Sequence, residues 1–168
     1  MNILGYNSVI LDKTDRHILR LIQEDATLSI AEVAEAVGLS SSPCWRRIRQ
    51  MEEAGIIRKR VTLLDREKLG LHFVAFATVK LATPNRDTMT AFEAELMHWP
   101  EVMDCYSITG EADYMLRVVT ADIHHYDAFQ RDKLLACGLI SDVLTRIVVR
   151  PIKRINALPV DAVAAHAD

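Results

Sequence analysis

A short basic stretch is the part of this sequence best suited to binding a polyanion. Residues 43 to 60 contain six Lys or Arg and only two acidic residues, although the whole chain of 168 residues has a formal net charge of -3. The six basic residues form two clusters: Arg46, Arg47 and Arg49, followed by Arg58, Lys59 and Arg60. Phosphate binding depends on a local patch rather than on net charge, and arginine suits bidentate contact with guanine and with phosphate. The stretch therefore indicates a nucleic-acid partner.

A second candidate site is the sequence Gly110-Glu111-Ala112-Asp113. A free amino acid presents an ammonium and a carboxylate, so its site needs an acceptor such as Asp113 or Glu111 and exposed backbone amides such as those beside Gly110. The same residue types also suit an ordinary turn between two strands, where Gly supplies a positive φ. Both interpretations stay open at the level of sequence, and they are compatible.

The sequence lacks the familiar signs of catalysis, metal binding and membrane insertion. Its three cysteines form no CxxC pair, its six histidines have no metal-ligand spacing, and no phosphate-binding glycine loop is present. We therefore expect no catalytic residues, no metal and no cofactor. No apolar run reaches the roughly 18 to 20 residues that a membrane helix needs, and no signal peptide is recognisable. We expect a cytoplasmic protein without a membrane partner.

Three short helices should position the first basic cluster. Asp12 can cap the first helix, and Ser29 with Glu32 forms a capping box at the start of the second, which Gly38 ends. Ser40 can cap a third helix that runs to about Ala54 and is ended by Gly55. Two short helices joined by a tight turn, the second carrying arginines, are typical of a helix-turn-helix.

The third helix has one apolar and one polar face. Cys44, Ile48 and Met51 share the apolar face, whereas Arg46 lies almost opposite Ile48. The β-prone residues 57–64 predict a linker strand or wing, so 1–64 forms a winged helix-turn-helix domain. The candidate DNA-binding residues are Ser40, Ser41, Ser42, Arg46, Arg47, Arg49, Gln50, Arg58, Lys59 and Arg60.

The second half of the chain predicts a different architecture. The order strand, helix, strand, strand, helix, strand is ferredoxin-like (βαββαβ), which makes the whole protein α+β, with this domain spanning 65–160 and a loose tail at 161–168. Its sheet carries helices on one face only, so a second copy of the chain is the simplest cover for the other face. The predicted elements are 73–81, 85–99, 102–109, 114–120, 122–137 and 142–152.

Several ordered motifs together resemble the leucine-responsive regulatory protein/AsnC (Lrp/AsnC, feast/famine) family of transcription regulators. They include Leu11-Asp12-Lys13-Thr14-Asp15-Arg16-His17-Ile18-Leu19, Leu39-Ser40-Ser41-Ser42-Pro43-Cys44-Trp45-Arg46-Arg47-Ile48 and Thr109-Gly110-Glu111-Ala112-Asp113-Tyr114-Met115-Leu116-Arg117-Val118. The resemblance covers nearly the whole chain.

The resemblance implies a regulator of amino-acid metabolism whose N-terminal domain binds double-stranded DNA. It further implies a C-terminal domain that binds an amino-acid effector and pairs into homodimers, which assemble into tetramers or octamers. The expected effector-binding residues are Tyr106, Thr109, Gly110, Glu111, Ala112, Asp113, Tyr114, Thr145 and Arg146.

Two other functions are alternatives to a DNA-binding regulator. Sirohaem decarboxylases resemble this two-domain plan but are enzymes acting on tetrapyrroles, and an amino-acid sensor acting on another protein would bind no DNA. The basic face of the third helix favours the DNA-binding regulator over both.

Overall fold

The chain forms two compact units. The computed structural model describes residues 11–153 and 156–162. One unit consists of Met1–Leu63 together with Lys153–Asp168, and the other is Leu64–Ile152. This division differs from the domain boundary expected at 160, because residues after Ile152 group with the N-terminal unit. Residues 163–168 of the expected tail lie outside the described residues.

The N-terminal unit is built from three helices: α1 (Lys13–Glu24), α2 (Ile30–Ala36) and α3 (Ser41–Glu53). The predicted capping of the first two helices is confirmed. The Asp12 carboxylate accepts from the Asp15 amide at 2.8 Å, and Ser29 and Glu32 form the second capping box. Ser40 is the N-cap of α3 but makes no side-chain capping hydrogen bond.

A small apolar core holds the three helices together. The turn between α2 and α3 is tight because Gly38 has a φ of 71°, a conformation that a side chain would strain. The core draws on all three helices and includes the three residues expected on the apolar face of α3. Its buried members are Ile18, Leu19, Val33, Ala34, Cys44, Ile48 and Met51.

The predicted linker strand over residues 57–64 is wrong. In the described chain this stretch contains no strand, and Val61, Leu63 and Leu64 are exposed. A strand requires hydrogen bonds to a neighbouring strand. No described strand of the single chain pairs with this stretch, so its β-prone composition alone does not make it one.

Residues 156–162, here called the return segment, pack on α1. The guanidinium of Arg20 donates to both carboxylate oxygens of Asp161, at 2.8 and 2.9 Å. The Gln23 amide exchanges two hydrogen bonds with the backbone of Leu158, and Val160 packs against the apolar core of this unit. Asp161, expected at the start of a loose tail, is therefore held in place by the first helix.

The C-terminal unit confirms the predicted βαββαβ order. Its four strands form one antiparallel sheet in the order β2-β3-β1-β4, which is the ferredoxin-like arrangement. The bounds of β1 and β3 are as predicted, while β2 and β4 end earlier than expected. The elements are β1 (Phe73–Leu81), α4 (Arg86–Leu96), β2 (Val102–Ser107), β3 (Tyr114–Thr120), α5 (Ile123–Phe129) and β4 (Ile140–Ile147).

The last helical stretch changes its winding partway along. The sequence predicts one helix from Asp122 to Cys137, but α5 ends at Phe129 and a π-helix, Gln130–Leu135, continues it. A π-helix has more residues per turn than an α-helix, so the apolar stripe drifts out of its 3.6-residue period. This explains why Gln130 interrupts the stripe in the sequence.

The two faces of the sheet have different environments. Alternate residues of β1, such as Ala75, Ala77 and Val79, are fully buried beneath the helices. Aromatic rings complete this core, with Phe92 and Trp99 centred 6.1 Å apart. Because side chains alternate along a strand, Phe76 and Thr78 lie on the opposite face, which no described element of this unit covers.

Candidate nucleic-acid and effector sites

The outward face of α3 presents a polar surface. Cys44, Ile48 and Met51 anchor the helix in the core, which leaves Arg46, Arg49 and Gln50 exposed as the helical period requires. Within the part of the chain that the structure describes, Arg46 has no ion pair and no hydrogen bond. Its guanidinium is therefore available to an external partner. The adjacent Trp45 is also largely exposed.

Arg47, predicted to bind DNA, has partners inside the protein. Its Nη1 lies 2.7 Å from the Asp12 carboxylate and 2.7 Å from that of Asp15, so it links α3 to the start of α1. Hydrogen bonds to Asp15 and then to Asp12 raise the pKa of Arg47. The pKa of Asp12 is lowered, first by the hydrogen bond from the Asp15 amide and also by Arg47. This geometry gives Arg47 a structural role.

The other candidate arginines are paired only at the surface. Arg49 contacts Glu53 at 3.2 Å and Glu52 at 3.8 Å, and Arg60 also approaches Glu52 at 3.8 Å. Exposed pairs of this kind contribute about 0 to 1 kcal/mol, so a phosphate can replace the carboxylates at little cost. Arg58 and Lys59 are exposed in the irregular segment after α3.

Three serines mark the start of α3. Ser40, Ser41 and Ser42 are all exposed there. The first amides of a helix have no partners within the helix, and its dipole favours negative charge at this end. Anion contacts by these residues would complement the arginines one and two turns further along the same helix.

The candidate effector loop is a stabilised turn. Gly110 has a φ of 121°, and the Ile108 amide donates to the carbonyl of Asp113 at 2.9 Å. The Leu81 amide donates to Oδ2 of the Asp113 carboxylate at 2.8 Å, which fastens the loop to the end of β1. Asp113 therefore has a structural role in this turn through Oδ2. Its other carboxylate oxygen, Oδ1, is left for a ligand. Glu111 is exposed.

Two of the predicted effector residues point toward the helices. The Tyr114 hydroxyl donates to Oε1 of Glu93 at 2.7 Å, and its buried ring packs on Phe92. Desolvation and then Glu93 raise the pKa of Tyr114. The Thr145 hydroxyl is 2.6 Å from that of Tyr126. Both side chains are engaged inside the domain.

Two other predicted effector residues lie on the uncovered face of the sheet. Tyr106 pairs with Met115, and Arg146 pairs with Phe76, on the face opposite the helices. A single chain therefore does not bring Tyr106 and Arg146 together with Tyr114 and Thr145. Thr109, Gly110 and Ala112 remain with Asp113 in the loop before β3.

The sequence pattern missed the partners of these residues. Glu93 and Tyr126 hold Tyr114 and Thr145, and Arg117 pairs with Asp104 on the uncovered face. Lys133 contacts both carboxylate oxygens of Glu101, at 2.7 and 2.9 Å. These partners are far apart in sequence, so no local motif predicts the contacts between them.

The described residues offer neither a metal-ligand cluster nor a membrane-spanning helix. They contain no group of three or more His, Cys, Asp or Glu side chains that could hold a metal ion. None of their helices has the length and apolar character needed to cross a bilayer. Burial, with a smaller effect of Glu93, raises the pKa of the Cys105 thiol to about 11, so it is not an activated nucleophile.

Family models match both units. Residues 11–58 match a winged helix-turn-helix DNA-binding domain, and residues 74–158 match the Lrp/AsnC ligand binding domain. The chain belongs to the Lrp/AsnC family. The resemblance seen in the sequence is thereby confirmed, and so is the α+β fold with an N-terminal winged helix-turn-helix domain.

The chain matches individual Lrp/AsnC relatives over almost their full lengths. The transcriptional regulator AzlB of Bacillus subtilis is 40% identical over 91% of this chain and 98% of its own. The glutamate uptake regulatory protein of Zymomonas mobilis is 37% identical over 94% of this chain and 96% of its own. A transcriptional regulator of Neisseria meningitidis, solved as its L-Met complex, has 38% identity and a TM-score of 0.88, covering 92% of this chain and 99% of its own.

Proposed function

We propose that this protein is a sequence-specific DNA-binding regulator of amino-acid metabolism that responds to an amino-acid effector. The single observation that carries the proposal is the outward face of α3. Its apolar side fills the core of the N-terminal unit, while Arg46 stays exposed without an internal partner among the described residues. A helix held in this way can enter a major groove with its arginines against base edges.

One group of side chains contacts bases and another contacts phosphates. Arg46, Arg49 and Gln50 project from α3 and are the base-reading candidates. The serines at the start of α3 and the basic residues Arg58, Lys59 and Arg60 contact phosphates, which fixes the register without reading sequence. Arg47 supports the surface indirectly, because it fixes α3 against α1 through Asp12 and Asp15.

The uncovered face of the sheet pairs with a second copy of the chain. This face carries exposed apolar side chains, including Leu144, alongside Phe76. Pairing two such faces would bury them and place two recognition helices on one operator. Dimers then assemble further into tetramers or octamers. Sedimentation equilibrium of wild type and Leu144→Glu tests the interface, since the charge should shift the protein toward monomer.

The effector occupies the loop before β3. Its exposed Glu111, the backbone amides near Gly110 and Oδ1 of Asp113 offer acceptors and donors for an amino acid. The uncovered-face candidates Tyr106 and Arg146 join this site only through a second chain. An amino acid as the effector is supported by the L-Met complex of the Neisseria relative and by the name of the Zymomonas relative, a glutamate uptake regulatory protein.

Genome-wide mapping of bound DNA, with and without added amino acids, tests the whole function. The expected result is enrichment at promoters of genes for amino-acid metabolism and a changed pattern when the effector is present. An amino-acid sensor acting on another protein would enrich no DNA. A tetrapyrrole enzyme of the sirohaem decarboxylase type would instead show Soret absorption after incubation with sirohaem.

A further inference from the structure

The C-terminal unit contains a cleft at the opposite end of β3 from the candidate effector loop. The loop ends where β3 begins at Tyr114, whereas the cleft is lined by residues around the strand's other end at Thr120. β3 has seven residues, so at roughly 3.3 Å per residue about 20 Å of strand separates the two places. The cleft is therefore not part of the loop site.

The walls of the cleft combine an apolar surface with charges of both signs. Its volume is about 370 Å³. Leu71, Val119 and Phe129 contribute apolar surface, and Glu101 and Lys133 contribute opposite charges. The Lys133 ammonium lies 2.7 and 2.9 Å from the two Glu101 oxygens, and both side chains remain about one-third exposed. The pair is accessible to a ligand.

The helix that lines the cleft has an unusual geometry. Asp132 and Lys133 belong to the π-helix, whose wider winding places them beside Phe129 at the cleft. π-helical turns inside α-helices are rare and occur frequently at functional sites. Here the irregular turn brings a carboxylate and an ammonium to the same apolar cleft.

We propose that this cleft is a second binding site for a free α-amino acid with an apolar side chain. The ligand's carboxylate binds the Lys133 ammonium, its own ammonium binds Glu101, and its side chain rests on Leu71, Val119 and Phe129. The exposed Glu101–Lys133 pair opens and each partner exchanges its internal contact for one with the zwitterion, so no charge is left without a counter-charge. The inference rests on the proposed function for its ligand class, but it concerns different residues.

Methyl NMR on the full-length protein locates the ligand directly. Ala121 and Ala128 line the cleft, Ala112 reports on the loop, and buried Ala77 is an internal reference. With labelled alanine methyls, each proteinogenic L-amino acid is titrated in turn. We expect L-leucine or another apolar amino acid to shift the Ala121 and Ala128 signals, whereas isocaproate and isoamylamine, which each lack one charge of leucine, bind at least tenfold more weakly.

Matched variants separate the cleft from general effects. Lys133→Gln should weaken this binding at least tenfold, and Ala128→Leu should block the cleft without changing its charge. Arg131→Gln is the control, because Arg131 lies in the same π-helix, pairs with Asp127 and does not line the cleft. Unfolding temperatures confirm that all three variants are folded.

The outcomes distinguish this inference from the proposed function. If only the Ala112 signal responds, the loop site stands and the second site is wrong. If only Ala121 and Ala128 respond, the second site stands and the loop is not the effector site. The inference is overturned if no amino acid shifts the Ala121 and Ala128 signals. This holds also if the reason is that another copy of the chain covers the cleft.

Discussion

The face of α3 and the loop before β3 both carry charged side chains, but these side chains differ in whether they have partners inside the protein. On α3, Arg46 is exposed with no internal partner in the described chain, whereas in the loop Asp113 accepts a hydrogen bond from the Leu81 amide. The α3 surface is thus open to a ligand, and the loop has already used part of its polar capacity to fold. A residue of the right chemical type is a binding residue only to the extent that its polar atoms remain available.

The comparison is tested most strongly at Arg46. Arg46→Ala should weaken operator binding by about 1 to 3 kcal/mol, the usual effect of losing a bidentate base contact. Stability should not change, because the exposed side chain makes no hydrogen bond or ion pair among the described residues. Fluorescence anisotropy with operator DNA and thermal unfolding measure the two quantities. Wild-type affinity in a folded Arg46→Ala protein would remove Arg46 from the DNA surface.

Asp113 separates a ligand contact from a structural one. Asp113→Ala should lower the free energy of unfolding by about 1 to 2 kcal/mol, because the Leu81 amide loses its acceptor. Asp113→Asn keeps an acceptor and should retain stability. If Oδ1 also binds the effector's ammonium, Asp113→Asn should lose roughly one to two decades of effector affinity, since charge-assisted bonds contribute about 1.5 to 3 kcal/mol. Calorimetric titration that gives wild-type affinity for Asp113→Asn would leave Asp113 with the structural role alone.

The segment after α3 should act on DNA through charge alone. Replacing Arg58, Lys59 and Arg60 by Gln should reduce the slope of log affinity against log salt by up to roughly 0.9 for each phosphate contact removed. Discrimination between operator and random DNA should stay nearly constant. Replacing Lys68, Lys80 and Arg86 of the other unit serves as the charge-matched control. An unchanged slope in the first variant means that this segment does not face the phosphates.

Arg47 should behave as the opposite of Arg46. Arg47→Ala removes the link from α3 to Asp12 and Asp15, and partly exposed pairs of this kind contribute about 0.5 to 1 kcal/mol to stability. Its effect on operator affinity should be smaller than that of Arg46→Ala. A fully stable Arg47→Ala protein with lost operator binding would place this arginine on the DNA instead.

The smallest expected effect is the acid response of Asp12. Its pKa in the folded protein is below the ordinary 3.8, so the ionised carboxylate stabilises the fold above that pH. This contribution is lost as the pH falls below 3.8 and through the lowered value. Asp12→Asn can still cap α1 but has no such titration. Thermal unfolding at pH 7 and pH 3 should therefore show a smaller acid loss for Asp12→Asn than for wild type; an equal loss would contradict the assignment.

Local patterns in the sequence predicted the elements whose structure depends on near neighbours. The caps at Asp12 and Ser29 and the bounds of β1 and β3 follow from residue types within a few positions. The strand expected over 57–64 failed because pairing needs a distant partner. The π-helix was not predicted, because a change of winding only weakens the regular spacing of apolar residues in the sequence.

The internal partners of the predicted site residues were missed for a related reason. Arg47 and Asp12 are 35 positions apart, Asp113 and Leu81 are 32 apart, and Tyr114 and Glu93 are 21 apart. Each contact decides whether a polar atom faces a ligand or the protein's own interior. Sequence placed Arg46 on the outer face because its position depends only on the period of one helix.

The return segment has a consequence for the order in which the protein is made. Arg20 and Gln23 near the beginning of the chain find their partners at Asp161 and Leu158, close to its end. During synthesis a domain usually folds as soon as it has emerged. Here α1 emerges first, yet its contacts become complete only after the entire sheet has been translated. In a nascent chain that stops before Leu158, α1 lacks its contacts with the return segment. The N-terminal unit therefore reaches its final set of contacts only after the C-terminal unit has been translated.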